Sequence, residues 1–292
     1  LIEYVPGDPD GGYRITEKEY RVCDLWGRVS AMLGQCRRRA EMERYRSLEV
    51  LPTCAGLPFP YPGLRQGQKE LISSVYSALK NGRRLFAQAP TGIGKTISTL
   101  YPAAKCMGEG VADKIFYLTS KASIRREAYN AINKMNSAGS KIRSIILSSR
   151  EQMCINDMAK SRGGRLSSNC CPELCPYAKA YYDKLSASLE EALKLSPIFD
   201  SAMIKNFAKA RGICPYEFSL DLSELCDVII CDVNYLFDPS VYIRRFFNEG
   251  GRYAFLIDEA HNLADRARDM YSAVLRKSAF EAVSVYLHLP VQ

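Results

Sequence analysis

Two hydrophobic patterns alternate along most of the chain. Short apolar runs stand at 85–87 (LFA), 114–119 (KIFYLT), 142–147 (IRSIIL), 227–231 (DVIIC) and 253–257 (YAFLI). Between the early ones, 68–81 and 121–135 carry apolar residues at three-and-four spacing and read as helices. Strands this apolar have no polar face to turn to water, so they predict a parallel sheet covered by helices on both sides, an α/β fold. Upstream, 20–45 has helical spacing and no proline. The stretch 51–63 (LPTCAGLPFPYPG) holds four prolines and reads as an extended connector. From 147 to 227 the alternation stops for about eighty residues, too long for a structureless loop in a compact domain. Within it, 177–195 and 198–211 read as helices too polar to make a strong core unaided.

Composition narrows the class. The 292 residues suffice for one large or two ordinary domains. No apolar run approaches the ~18 residues of a membrane span. The start (LIEYVPGDPDGGYR) is acidic and turn-rich rather than a secretory leader, which points to a cytoplasmic protein. It also lacks an initiator Met, as expected of a piece of a longer protein. A net charge of +8 is compatible with a polyanionic partner, and the Arg37–Arg38–Arg39 run reads as a solvated helix face. Eleven cysteines without a leader argue for metal or redox chemistry over disulfides. Cys23, Cys36, Cys54 and Cys106 are scattered and read as ordinary thiols, and Cys226 and Cys231 as packing beside a strand.

Chemistry concentrates at three places. The first is RLFAQAPTGIGKT, where the apolar run 85–87 reads as a strand leading into the loop Ala89, Pro90, Thr91, Gly92, Ile93, Gly94, Lys95, Thr96. Glycines there let backbone N–H groups and a helix N-terminus approach a phosphate. Lys95 would reach the β/γ-phosphates of ATP and the Thr96 hydroxyl would sit on Mg²⁺. Ala89 stands where the common motif has its first glycine, a variant used by helicase-type ATPases. Just upstream, the Gln68 amide can grip adenine with one donor and one acceptor, with Arg65 as a companion. The second place is Asp258-Glu259-Ala260-His261, at the carboxyl end of the last apolar run. There Asp258 would hold Mg²⁺, Glu259 would deprotonate the attacking water, and His261 would relay the nucleotide state.

The third is the irregular interval, with Cys154, Cys170, Cys171, Cys175 and Cys214 and no histidine. Zinc sites usually show two close cysteine pairs. Here there is one close group and two distant outliers, a spread that resembles an iron–sulfur cluster held from four corners, with zinc as the alternative.

Phosphate loop, cysteine-bearing insertion and DEAH box, in this order, resemble the XPD/DinG family of superfamily 2 iron–sulfur DNA helicases. The likeness extends to LSSREQMC, GICPYEF, CDVIICDVNYLFDP and LIDEAHN and covers roughly Pro58 to Ser272; the chain is especially similar to the bacterial DinG-like members. It implies a RecA-like P-loop NTPase sheet (helicase domain 1) with an inserted, mostly helical iron–sulfur domain. It also implies ATP-driven, 5′→3′ translocation on single-stranded DNA and unwinding of forked or bubble DNA in repair or replication. The resemblance carries ATP–Mg²⁺ roles onto Lys95, Thr96, Asp258 and Glu259, and [4Fe–4S] ligation onto Cys154, Cys170, Cys175 and Cys214. Cys170 is preferred to Cys171 because Cys171 falls where the family tends to place Asn. Thr119 and Lys121 fall where such helicases touch the DNA backbone, and Tyr181, Tyr182, Lys179 and Lys184 could line a single-strand groove.

The expected partition is 1–60 as an N-terminal helical and linker segment, 61–150 as the first part of the motor domain, 151–217 as the cluster insertion, 218–270 as the second part with the DEAH box, and 271–292 as the start of a following arch segment. In the family a second RecA-like domain supplies arginines to the ATP site, a contribution of order 10³–10⁵ in rate. The sequence therefore reads as a monomeric motor fragment, inactive alone. Two further readings are a metal-stabilised nucleic-acid-binding module with a vestigial ATP site, and an ATPase whose cluster senses redox state.

Overall fold

The computed structural model describes residues 2–4, 13–15, 21–90, 92–156, 170, 174–248, 250–273 and 278. The chain divides into two compact units, Leu1–Ser47 and Leu48–Gln292. In the first, β1 (Ile2–Tyr4) pairs antiparallel with β2 (Tyr13–Ile15), and α1 spans Val22–Tyr45, as its spacing predicts.

The second unit opens with α2 (Leu51–Ala55), followed by α3 (Gln68–Lys80), α4 (Lys95–Gly108), β3 (Lys114–Leu118), α5 (Ala122–Ser137) and β4 (Ser144–Ile146). Then come α6 (Arg150–Met153), α7 (Tyr181–Leu195), β5 (Ile198–Phe199), α8 (Ser201–Arg211) and α9 (Pro215–Glu224). The run closes with β6 (Val228–Cys231), α10 (Asn234–Phe237), α11 (Arg244–Phe247), β7 (Tyr253–Ile257) and α12 (Leu263–Met270). Strands β3 to β7 form one parallel sheet in the order β5-β4-β6-β3-β7. The expected α/β class is thus observed.

Successive strand residues face opposite sides, and both sides are apolar. Ile115 and Tyr117, Val228 and Ile230, and Ala254 and Leu256 join one core with α2, α4 and α5. Phe116 and Leu118, Ile229 and Cys231, and Ile145 join the other with α7, α8 and α9. Cys226 and Cys231 are buried there, as their flanking of an apolar run suggested.

Three elements differ from the sequence reading. The connector 51–63 begins as a helix whose Cys54, with the flanking Val50 and Leu57, enters the first core. Pro52 is tolerated because it lies in the first helical turn, where its missing N–H has no partner to lose. Second, Ile198–Phe199 leaves the expected helix and pairs with β4 as one edge strand of the sheet. The cysteine-bearing interval therefore shares the sheet's core instead of standing apart. Third, 85–87 is not paired: Leu85 is 43% and Phe86 89% exposed. Apolar composition gives strand propensity, but pairing needs a neighbour in register, and β7 pairs only with β3 among the described residues.

Candidate functional site

The phosphate loop runs directly into α4, which starts at Lys95 after Gly94 as N-cap, so free N–H groups of the first turn face the loop. Gly92 and Gly94 lie at φ +85° and +83°, a region costly for any residue with a Cβ. A Cβ on Gly94 would also fall 2.9 Å from Gln68 Nε2. Lys95 Nζ donates to Ala89 O at 3.0 Å, folding over the loop it would clamp onto phosphate. Arg65 Nη1 donates to Gly92 O, so Arg65 braces the loop from outside. Thr91 lies outside the described residues.

Gln68 is only 3% exposed, and its Oε1 accepts the Arg65 N–H at 3.0 Å. Its amide supports the loop from beneath, and an adenine contact would require that bond to be exchanged.

Parallel strands bring the other motif to the same edge. Asp258 follows β7 and donates its N–H to Leu118 O at 3.0 Å, holding the DEAH turn beside the end of β3. The Tyr117 hydroxyl of β3 lies 3.5 Å from Thr96 Oγ1. Burial pushes this phenol well above its ordinary range, and the Asp258 charge pushes it further. β3 therefore touches both motifs, Tyr117 reaching Thr96 of α4 while Leu118 O holds the Asp258 N–H. The sequence reading missed it; alternation along KIFYLT, which sets Tyr117 on the α4 side, is the signal that could have found it.

Glu259 has φ +54°, one of two non-glycine residues described in the left-handed region. Such backbone strain gathers at functional sites. Its carboxylate meets Lys121 Nζ at 3.3 Å and His261 Nδ1 at 3.4 Å. Thr119, expected as a phosphate contact, is fully buried, and its hydroxyl accepts the Lys121 N–H at 3.3 Å. It fixes the turn that leads into α5, while Lys121, the N-cap residue, stays exposed. Asp232, at the carboxyl end of β6, also faces this edge and accepts from Arg266 Nη1 at 3.1 Å. The repeat of an apolar run ending in Asp (VIICD, FLID) marks it in the sequence.

Cys154, Cys170, Cys175 and Cys214 all line one cavity of about 300 Å³, at the junction of α6, α7 and α9. Burial raises the Cys170 and Cys214 thiols above their ordinary range. Among the described residues, no three His, Cys, Asp or Glu side chains converge tightly enough to hold a single metal ion. Four thiols around one cavity have the donor chemistry that zinc or an iron–sulfur group takes. Cys171 lies outside the described residues. Arg150 stacks on Tyr216 at 5.2 Å and approaches Glu217 at 3.7 Å on the cavity wall. Tyr181 is buried and donates to Asp221 at 2.5 Å, a core role, whereas Tyr182 is exposed. Lys184 is exposed and donates to Gly212 O. No described helix is long and apolar enough to cross a membrane.

Comparison with known proteins adds an independent line. Residues 121–280 match the DEAD_2 family, and 65–163 match the DEAD/DEAH box helicase family. A regulator of telomere elongation helicase 1 homolog from Oryza sativa subsp. japonica is 30% identical over 263 residues, 73% of this chain and 25% of that protein. The general transcription and DNA repair factor IIH helicase subunit XPD/RAD3 of Saccharomyces cerevisiae is 25% identical over 234 residues, 70% and 29% respectively. A solved structure titled XPD_Helicase aligns over 72% of this chain and 35% of its own, at 21% identity and TM-score 0.44. The chain spans about a quarter of the length of these curated relatives.

Proposed function

Since the chain belongs to the DEAD_2 family, we propose that it is the front motor domain of an ATP-dependent DNA helicase with an iron–sulfur insertion. The observation that carries this reading is that β3 links both motifs: its Tyr117 hydroxyl lies 3.5 Å from Thr96 Oγ1, and its Leu118 O accepts the Asp258 N–H at 3.0 Å. ATP would lie along the loop, its phosphates on the N–H groups that open α4. Lys95 would leave Ala89 O for the β/γ-phosphates. Thr96 and Asp258 would hold Mg²⁺, which neutralises charge on the phosphate oxygens. Glu259 would accept the proton of the water that attacks the γ-phosphorus as the bond to the bridging oxygen breaks. His261, against Glu259, would report the result to neighbouring segments.

Lys121, with exposed residues such as Tyr182 and Lys184, would hold single-stranded DNA through phosphate contacts and stacking, in forked or bubble substrates, with 5′→3′ movement as in the resembling family. In this reading arginines from outside these residues complete the ATP site, so the chain alone binds nucleotide and hydrolyses it slowly. Cys154, Cys170, Cys175 and Cys214 would ligate a [4Fe–4S] cluster, which supplies a structural tie and a one-electron couple.

Titration calorimetry with ATP and Mg²⁺ tests the motor assignment. Lys95→Ala is expected to weaken binding at least about tenfold by removing a charge-assisted contact, and Asp258→Asn to abolish the Mg²⁺ dependence. Wild-type affinity in Lys95→Ala would overturn the assigned phosphate role. Anaerobic purification tests the centre: about four irons per chain and broad visible absorption are expected, and one zinc in colourless protein would overturn the cluster.

A further inference from the structure

Asn156 is 8% exposed and lines the cysteine cavity. Its side-chain Nδ2 donates to Cys175 Sγ at 3.5 Å, while its backbone carbonyl lies 3.8 Å from Cys154 Sγ. We infer that Asn156 is a positioning residue that sets the reduction potential of the cysteine centre through its N–H···S bond to Cys175, an inference that rests on the cluster reading above.

The two contacts behave oppositely when the thiols give up their protons to a metal group. The Cys154 contact needs an S–H donor, so it is lost on ligation. The Asn156 amide meets a thiolate that offers only lone pairs, so its bond becomes charge-assisted and strengthens. An added electron raises the negative charge on the ligating sulfurs. A donor aimed at one of them then stabilises the reduced state more than the oxidised one and raises the potential. Burial makes the effect specific, because water cannot easily replace the amide once it is removed. Arg150, on the same wall, is engaged by Glu217 and Tyr216 and adds its charge near Cys170, whereas the Asn156 carboxamide acts through a hydrogen bond to one sulfur.

The test uses the whole chain purified anaerobically as wild type, Asn156→Leu and Asn156→Asp. Iron and sulfide per chain are measured first, then the midpoint by redox titration followed by electron paramagnetic resonance. Asn156→Leu should load about four irons and be harder to reduce by about tenfold in the reduced-to-oxidised ratio at a fixed potential, ~59 mV for one electron. Asn156→Asp, of the same shape but an acceptor, should shift further in the same direction. An unchanged midpoint in loaded Asn156→Leu overturns the inference. So does a variant that loads poorly while its loaded fraction keeps the wild-type midpoint, since that marks a merely structural role. If Asn156→Leu does not fold, Asn156→Asp decides by the same criterion. Wild-type protein without iron instead overturns the cluster reading itself, and the inference falls with it.

Discussion

Lys121 and Glu259 occupy the ends of adjacent strands, and their ion pair joins the group proposed to hold DNA to the one proposed to activate water. The pair is partly exposed, so it contributes at most about 1 kcal/mol. That is enough for a phosphate to compete for Lys121. Lys121→Ala should weaken single-stranded DNA binding irrespective of sequence and lower the salt slope of the affinity by about 0.7. Glu259→Gln should act the other way, tightening binding by roughly two- to fivefold because Lys121 no longer has a carboxylate partner. Fluorescence anisotropy at several salt concentrations measures both. The double variant should match Lys121→Ala alone; a residual gain from Glu259→Gln would show that the carboxylate acts on DNA without Lys121. Both roles were legible as residue types at strand ends. Their pairing was not, because 121 and 259 lie 138 positions apart in a chain whose sheet order departs from its sequence order.

At the scale of elements, α2 and α4 lie so close that a Cβ on Gly108 would sit 2.2 Å from Ala55 N and 2.7 Å from Leu51 O. Those atoms are backbone and cannot rotate away. Lys105 Nζ donates to Ala55 O at 2.9 Å and Tyr101 Oη to Leu57 O at 3.1 Å, closing the carboxyl end of α2. Gly108→Val should therefore destabilise the second unit by about 3 kcal/mol or more, as overpacking against fixed atoms does, seen as a lower urea midpoint at unchanged slope. A small loss, under about 1 kcal/mol, would mean that α2 docks loosely. The sequence showed prolines here and suggested a connector; what it hides is that one small residue on α4 admits a second backbone. The apolar strands β3 and β6 were readable because both their faces are buried, whereas β7, equally apolar, keeps Phe255 39% exposed. The two-residue β5 was not, since only its partner β4 makes it a strand.

Across the whole second unit, apolar contact binds the cysteine-bearing interval to the sheet, and the proposed cluster would add a second tie. Phe199, Ile204, Phe218 and Leu222 share a core with Phe116, Leu118, Ile145 and Ile229. Phe207 stacks on Phe218 at 5.3 Å and extends that core between α8 and α9. The sequence suggested that this interval needs a metal group to hold it together, because its helices look polar in isolation; the sheet supplies the missing face. The observed core and the proposed cluster predict different responses to chelation. Burial of those four side chains alone is worth several kcal/mol, so β5, α8 and α9 should persist without metal, whereas the segment around Cys175 and the start of α7 meets the core mainly through Tyr181. Hydrogen exchange before and after chelation measures this directly. Amides of α8 and α9 should keep their protection, and those of 174–182 should lose it by tenfold or more, a local opening costing about 1.4 kcal/mol less. Collapse of protection through Phe218 and into β4 would instead mean that the metal group, rather than the shared core, holds the interval on the sheet.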